Sequence, residues 1–260
     1  MQIIVCLKQV PDTTEVKINP ETNTLMREGV QSVINPFDMY ALEEGLRIKE
    51  SLGQGEVTVL SMGPPQVEDS LREALSLGAD RAVLLSDRAF AGADSLATAY
   101  TLSRGVAKLG EFGLIICGKQ AIDGDTAQVG PSLAEQLDIP HATYVRKVQS
   151  VDEEKMVVER MTEDGYEVIE LAMPTLITVL KDINQPRLPS LKGKLRAKKA
   201  QIEIWGKEDL DVEEERLGLA GSPTQVVKIF TPQRARDCRV LEGTAEEMAK
   251  VLAQELKKII

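Results

Sequence analysis

Small, hydroxyl and acidic residues are concentrated between Gly118 and Pro131, in the segment GKQAIDGDTAQVGP. Gly124 allows a backbone to approach a ligand closely, and Thr126 offers a hydroxyl group. A helix that begins after this segment presents backbone N–H groups, which suit a phosphate. The segment lacks the Gly-Lys-Ser/Thr ending of a P-loop. It therefore indicates a nucleotide-phosphate site, and an ordinary strand-to-helix turn is the alternative.

Two carboxylates lie within this segment, at Asp123 and Asp125. They would repel a phosphate if they pointed at it. We expect them to cap the following helix, or to contact ribose hydroxyls and loop amides. The phosphate contacts are expected from backbone amides and hydroxyl groups.

Residues for acid-base, disulfide or metal chemistry are scarce. The single histidine, His141, follows Pro140 at the predicted entry to a strand, where a structural role is expected. Cys6 and Cys117 lie inside apolar runs and Cys238 stands far from both, so the spacing predicts neither a disulfide framework nor a metal site. This cysteine usage fits a reducing cytosol.

The composition excludes several classes of protein. The chain has 260 residues and a formal net charge of −10, which opposes nonspecific binding to nucleic acid. No stretch reaches the roughly 18 apolar residues of a membrane span. The first residues, MQIIVC, resemble a strand rather than an export signal, so we expect a cytoplasmic protein.

Alternating strands and helices are predicted to position the segment. Apolar runs at Ile3–Leu7, Val57–Ser61, Ala82–Leu85 and Leu114–Cys117 each precede a stretch of helical periodicity. This pattern predicts an open parallel sheet with helices on both faces, a Rossmann-like α/β fold.

The predicted helices have recognisable ends. Asn35 is expected to cap the first, with Pro36 at its first position, and Gly78 to end the second. The third follows Asp94 and the fourth follows Asp125. A hairpin is expected within Val16–Met26, between the first strand and the first helix.

The pattern changes after Pro140. Three antiparallel strands are predicted at Ala142–Val148, Lys155–Arg160 and Tyr166–Leu171, and Thr175–Leu180 returns to the main sheet. Residues 1–183 are predicted to form the nucleotide-binding domain. Residues 184–260 are predicted to form an extended C-terminal arm that packs on another chain and ends in a helix at Ala245–Lys257. An arm that folds back on its own domain is the alternative.

Several motifs resemble the electron-transfer flavoprotein β family over nearly the whole chain. Besides the segment after Gly118, they are VCLKQVPD from Val5, NPFD from Asn35, MGP from Met62 and NQPR from Asn184. In that family the β subunit carries no catalytic acid or base. It binds a nucleotide and docks on an α subunit that holds a redox-active FAD.

The resemblance implies a set of nucleotide contacts. They are Cys6, Asn35, Pro36, Phe37, Asp38, Met62, Asp123, Gly124, Asp125, Thr126, Ala127, Gln128, Val129, Gly130, Pro131, Ser132, Leu133 and Ala134. The alternative is structural: a buried thiol at Cys6, core side chains at Phe37 and Met62, and a cap at Asn35.

A second set of residues resembles the family members whose β subunit holds FAD instead of AMP. These residues are Gly92, Asp94, Ser95, Thr98, Gly124 and Thr224, and AMP-bearing members carry an acidic residue in place of Gly124. FAD is larger than AMP, so the glycines are expected to provide room and Ser95, Thr98 and Thr126 to provide donors. The alternative is that Asp94 only caps its helix and Thr98 faces solvent.

The resemblance to FAD-bearing members implies flavin-based electron bifurcation. The FAD of this subunit would accept hydride from NADH, and the partners would be a flavin-containing dehydrogenase and ferredoxin or flavodoxin. Ile183, Asn184, Pro186 and Arg187 match the loop that binds the dehydrogenase, with Ile183 as apolar anchor. Two alternatives stay open: a simple electron carrier that holds AMP, and a nucleotide-binding sensor similar to universal stress proteins.

Overall fold

The computed structural model of the protein describes residues 1–12, 32–227 and 240–258, and eleven strands lie within them. They are β1 (Gln2–Cys6), β2 (Gln9–Pro11), β3 (Ser32–Ile34), β4 (Glu56–Met62), β5 (Arg81–Leu85), β6 (Leu114–Gly118), β7 (His141–Val151), β8 (Lys155–Met161), β9 (Tyr166–Ala172), β10 (Thr175–Val179) and β11 (Glu203–Trp205). The hairpin predicted within Val16–Met26 and the third cysteine, Cys238, lie outside the described residues.

Six α-helices accompany these strands in the described residues. They are α1 (Pro36–Leu52), α2 (Glu68–Leu77), α3 (Ser95–Leu109), α4 (Val129–Leu137), α5 (Leu191–Lys199) and α6 (Ala245–Leu256). The predicted first positions of α1 and α3 are confirmed, and α2 ends directly before Gly78 as expected. The fourth helix begins at Val129, four residues beyond Asp125.

One sheet of nine strands organises the molecule, in the order β11-β5-β4-β1-β6-β10-β7-β8-β9. The strands from β11 to β7 run parallel, and β8 and β9 continue the sheet antiparallel. The predicted α/β fold, its antiparallel extension and the return of β10 are therefore confirmed.

Two apolar layers cover the two faces of the parallel strands. One layer includes Ile3 and Val5 of β1 with Leu42 of α1, and the other includes Ile4 of β1 with Leu133 of α4. Side chains alternate between the faces along each strand, so both faces of β1 and β6 are buried. This double burial fixes the positions of the strand ends.

Residues 184–227 fold against the sheet domain. α5 packs against α2, and β11 joins the sheet beside β5. The first compact unit accordingly extends from Met1 to Val227, whereas the sequence predicts a boundary at residue 184. This part of the chain follows the alternative in which the arm folds back on its own domain.

A second unit comprises residues 228–260. Within it, α6 occupies Ala245–Leu256 and confirms the predicted helix to within one residue. Thr244 Oγ1 accepts the Glu247 N–H and so caps α6, and Glu247 Oε2 accepts the Thr244 N–H. This reciprocal pair is a capping box. Packing of this unit on another chain stays a prediction.

Among the helices of the described residues, none has the length and apolar character needed to cross a bilayer.

Candidate functional site

The carboxyl ends of β1 and β6 lie side by side in the sheet, with Cys6 opposite Cys117. Both thiols are buried. A hydrogen bond with Cys6, together with burial, raises the pKa of Cys117. A thiol with a raised pKa is a poor nucleophile, which applies to Cys117. Contact of Cys6 with a nucleotide stays a prediction.

Asn35 joins the start of α1 to the loop that follows β6. Its side chain is buried and does not cap α1, which corrects the predicted capping bond. Instead, Nδ2 donates to Asp38 Oδ1 at 3.0 Å and to the Gln120 carbonyl at 2.9 Å. Oδ1 accepts the Ile122 N–H at 3.1 Å. Asn35 therefore holds the loop in place. Its contact with a nucleotide stays a prediction.

Asp38, in the first turn of α1, is a buried residue at this edge of the sheet. Its Oδ2 accepts the Lys8 N–H at 2.7 Å, and only 6% of the residue is exposed. Burial raises the pKa of Asp38 to about 7, against the lowering effect of hydrogen bonds from Lys8, Asn35 and Gly118. Between Asn35 and Asp38, Pro36 is exposed and Phe37 is half-buried, so these two form the accessible part of the motif.

Both aspartates of the loop are engaged by side chains of the same chain. Lys8 Nζ lies 2.6 Å from Asp123 Oδ1, and Gln120 Nε2 donates to Asp125 Oδ1. Neither aspartate caps α4, whose N-cap position is Gln128, so the predicted capping role is wrong. The contact of Lys8 with Asp123 joins residues 115 positions apart in the chain, whereas that of Gln120 with Asp125 joins residues only 5 positions apart.

The loop carries backbone strain. Asp125 and Ala127 have φ of 55° and 54°, in the left-handed region that non-glycine residues rarely enter. Such conformations cost on the order of 1 kcal/mol or more each and are concentrated at ligand sites. Gly124, which lies beside them, has an ordinary φ, and a Cβ built on it would meet nothing within 4 Å. The backbone therefore does not require glycine at this position.

The first turn of α4 rests directly on β10. A Cβ on Gly130 would lie 2.5 Å from Thr178 Cγ2, so only glycine fits. The helical hydrogen bonds of α4 begin at the Ser132 N–H, which donates to the Gln128 carbonyl at 3.0 Å; the N–H groups of Val129 and Gly130 precede them. Later in the helix, Leu133 and Ala134 are fully buried core residues.

Apart from Gly124 in the loop after β6, the second predicted set gathers at the start of α3. Asp94 Oδ1 caps α3 by accepting the N–H groups of Leu96 and Ala97, at 2.9 and 3.1 Å. Its Oδ2 accepts the N–H and the hydroxyl of Thr224, at 3.1 and 2.8 Å. Burial raises the pKa of Asp94, but the hydrogen bonds from Ala97 and Thr224 outweigh it and hold that pKa below its usual value.

One hydrogen bond connects the two predicted sets. Ser95 Oγ donates to Gln128 Oε1 at 3.0 Å.

The remaining predicted residues lie nearby. Thr98 lies one turn further along α3 and is half-buried, and Met62 packs against the core at the end of β4. Gly92 has φ of 75°, so the backbone itself explains this glycine. The structure thus brings the predicted residues of both sets to one edge of the sheet.

Sequence reasoning missed the residues that hold this edge together. Lys8 and Gln120 are in the quoted motifs, but their bonds to Asp123 and Asp125 depend on the fold. A lysine at a predicted strand end, opposite an aspartate-rich loop, is the only signal that the sequence offers for the first pair.

The predicted partner loop is fixed to the outer side of α1. Arg187 forms ion pairs with Glu43 at 2.8 Å and Glu50 at 2.6 Å, and Asn184 Nδ2 donates to Glu44 Oε2 at 2.8 Å. Ile183 packs partly against the core, and Pro186 is half-buried. Leu188 directly beyond them is 89% exposed, so it is the most accessible apolar side chain of this segment.

Within the described residues, no group of three or more histidine, cysteine or acidic side chains could hold a metal ion. Contact of the predicted residues with a nucleotide stays a prediction. Their arrangement offers backbone amides, hydroxyls and small residues at the carboxyl edge of a parallel sheet, where ligands of open α/β sheets bind.

Comparisons with known proteins show the family of the chain. The family model described as "Electron transfer flavoprotein domain" matches residues 22–210. The electron transfer flavoprotein subunit beta of Thermoanaerobacterium thermosaccharolyticum is 54% identical over 98% of each chain.

Two further relatives are similarly close. Subunit CarD of the caffeyl-CoA reductase-Etf complex of Acetobacterium woodii is 48% identical, over 99% of this chain and 98% of its own. Protein FixA of Bradyrhizobium diazoefficiens is 49% identical, over 97% of this chain and 90% of its own. The chain therefore belongs to the electron transfer flavoprotein family, as one of its β subunits with a role in electron transfer.

Proposed function

We propose that this β subunit pairs with an α subunit and binds FAD at the carboxyl edge of its parallel sheet. The Ser95–Gln128 hydrogen bond carries the proposal, because it joins the loop after β6 to the cluster of Asp94 and Thr224. A dinucleotide needs a longer site than AMP does. The joined sets offer hydroxyls and backbone amides over both stretches.

Gly124 supports the choice of FAD over AMP. Its φ is ordinary and the space at its Cβ is open, so a larger residue would fold equally well. A glycine that the backbone does not require is explained by the room that a ligand needs. In this proposal an acidic residue at position 124 would occupy that room and add a negative charge beside a phosphate.

Bound FAD would supply hydride acceptance from NADH and the separation of its two electrons. The side chains of this chain hold and orient the cofactor. Asn35 fixes the loop, Asp94 fixes the start of α3, and Thr126 and Ser95 provide hydroxyl groups. A relative of this chain is described as a subunit of a caffeyl-CoA reductase complex. By analogy, the electron partners would be a flavin-containing dehydrogenase and ferredoxin or flavodoxin, in the cytoplasm.

The loop around Arg187 is proposed to contact the dehydrogenase. Its ion pairs with Glu43 and Glu50 fix the backbone, and this fixed segment presents Leu188 to solvent. A preorganised loop with an exposed apolar residue loses little entropy on binding. Leu188→Ser should therefore slow electron transfer to the dehydrogenase more than Ile183→Ala does. Ile204→Ser, at an exposed site on β11, serves as control and should leave the rate unchanged.

The proposal of FAD is tested by coexpression with the α subunit and a count of flavin per heterodimer. We expect two flavins and bleaching on addition of NADH. The variants Gly124→Ala and Gly124→Glu test the role of this position: the methyl group of alanine fills little of the room, so that variant should keep two flavins, whereas glutamate fills the room and adds a charge, so that variant should retain one flavin together with AMP. One flavin with copurified AMP in the wild type would support the simple carrier instead. A heterodimer that releases no adenine compound on denaturation would overturn nucleotide binding itself.

A further inference from the structure

Lys119 is a half-buried lysine at the exit of β6, directly before the loop that holds the predicted nucleotide contacts. Its N–H donates to the Val179 carbonyl at 2.9 Å, which keeps its backbone in line with the sheet. Its Nζ lies 4.9 Å from the centre of the Tyr144 ring. Within the described residues, Lys119 has no carboxylate partner. An ammonium stacked on a ring retains its charge and its donors.

The backbone of Tyr144 is held in an unusual conformation that orients its ring. Its φ is 59°, a value rare for a bulky side chain. The pairing of β7 with β10 shifts register between Ile177 and Val179, and the Tyr144 N–H donates to Thr178 Oγ1 at 3.2 Å. Irregularities of this kind reorient a side chain and occur beside functional sites. Here the result is an aromatic surface beneath Lys119.

Thr178 connects this pair to the first turn of α4. Its Oγ1 accepts the Tyr144 N–H, while its Cγ2 is so close to Gly130 that no Cβ fits between them. Tyr144 and Gly130 therefore both contact Thr178. Through this threonine, the tyrosine ring that lies beneath the Lys119 ammonium is joined to the first turn of α4, the helix start that the proposed nucleotide occupies.

The charged side chains described above around the loop provide no free cation. Lys8 is paired with Asp123, Asp125 is bound by the neutral Gln120, and Asp94 is an additional carboxylate. Without Lys119 these groups carry a net negative charge, and a phosphate would be repelled. Lys119 adds a positive group in a partly desolvated place, where a charge-assisted hydrogen bond to a phosphate would be strong.

We infer that Lys119, held over the Tyr144 ring, binds the phosphate that AMP and FAD share next to their adenosine. The inference rests on the proposed function, because it assigns one more binding residue to that site. Lys119 is a binding residue and not a catalytic one.

The test compares three ligands on the heterodimer after its β nucleotide has been removed. Binding of adenosine, AMP and ADP is measured by calorimetry for the wild type and for Lys119→Met, which keeps an apolar chain over Tyr144. We expect AMP and ADP to bind at least about tenfold more weakly, with adenosine unchanged. Lys119→Arg should restore most of the AMP affinity. Lys147→Met, which removes an exposed charge on β7, should change none of the three.

The outcomes separate the inference from the proposed function. An equal loss for adenosine and AMP would indicate a structural role, and unchanged AMP binding would place the phosphate elsewhere; either result overturns the inference alone. A wild type that binds neither AMP, ADP nor FAD would overturn the proposed function together with it.

Discussion

Ser95 and Gln128 are 33 positions apart in the chain, and the hydroxyl of the first donates to the side-chain carbonyl of the second at 3.0 Å. This contact joins the start of α3 to the residue before α4. Both helices begin at the carboxyl edge of the sheet, so the bond sets the separation of two groups of predicted ligand contacts.

Replacing Ser95 by alanine should weaken FAD more than AMP. The hydroxyl fixes Gln128, and in the proposed site Ser95 belongs to the residues that FAD contacts and AMP does not. Loss of one neutral hydrogen bond corresponds to an affinity change of about threefold to tenfold. Ser95→Thr keeps the hydroxyl and should bind both ligands as the wild type does. An equal loss of AMP and FAD affinity in the alanine variant, measured by calorimetry on the heterodimer, would contradict this assignment.

Gly124 in the loop after β6 and Gly130 in the first turn of α4 should respond oppositely to alanine. At Gly130 the new methyl would lie 2.5 Å from Thr178 Cγ2, and overpacking of this kind costs about 1 to 3 kcal/mol. At Gly124 nothing lies within 4 Å, so the same change should leave stability unchanged or slightly raised. Urea unfolding of both variants checks the pair. Similar midpoints for the two would show that the close approach at Gly130 is relieved elsewhere.

Arg187 should matter more for stability than an exposed ion pair does. Glu43 is 6% exposed, and removal of its partner leaves a buried charge. Because Arg187 itself is partly exposed, Arg187→Met is expected to lower the free energy of unfolding by about 2 kcal/mol, less than for a fully buried pair. Lys155→Met breaks the exposed pair with Glu170 and should have no measurable effect. Equal urea midpoints for both variants would refute the distinction.

Asp38 should make the protein less stable at neutral pH than at mildly acidic pH. Burial raises its pKa to about 7 in the folded state, whereas an unfolded aspartate has a pKa of about 3.9. Between these values the unfolded chain loses the proton and the folded chain keeps it, so the free energy of unfolding falls as pH rises. The full change is on the order of 4 kcal/mol.

The measurement is urea unfolding at pH 5, 6, 7 and 8 for the wild type and Asp38→Asn. The variant has no proton to lose at this position, so its curve should be flatter. Burial also raises the pKa of Glu44, which adds a change of the same sign to both proteins. Parallel curves for the two proteins would exclude Asp38 as the cause.

The sequence predicted the sheet well, because apolar runs and helical periodicity are local signals. The starts of α1 and α3 followed from Pro36 and Asp94 for the same reason. The caps at Asn35 and Asp125 were wrong, because their side chains bind distant or loop groups that local rules do not include. The bulge at Tyr144 has no sequence signal, because it arises where β7 meets β10.

The pairing of β11 with β5 has a consequence for how the chain is made. Until residues 203–205 have left the ribosome, β5 is the last strand on its side of the sheet, and its backbone has no neighbour there. Unpaired strands of this kind recruit other chains. A chain shortened to residue 183 would retain that exposed border permanently and should form aggregates, even though it contains every strand from β1 to β10.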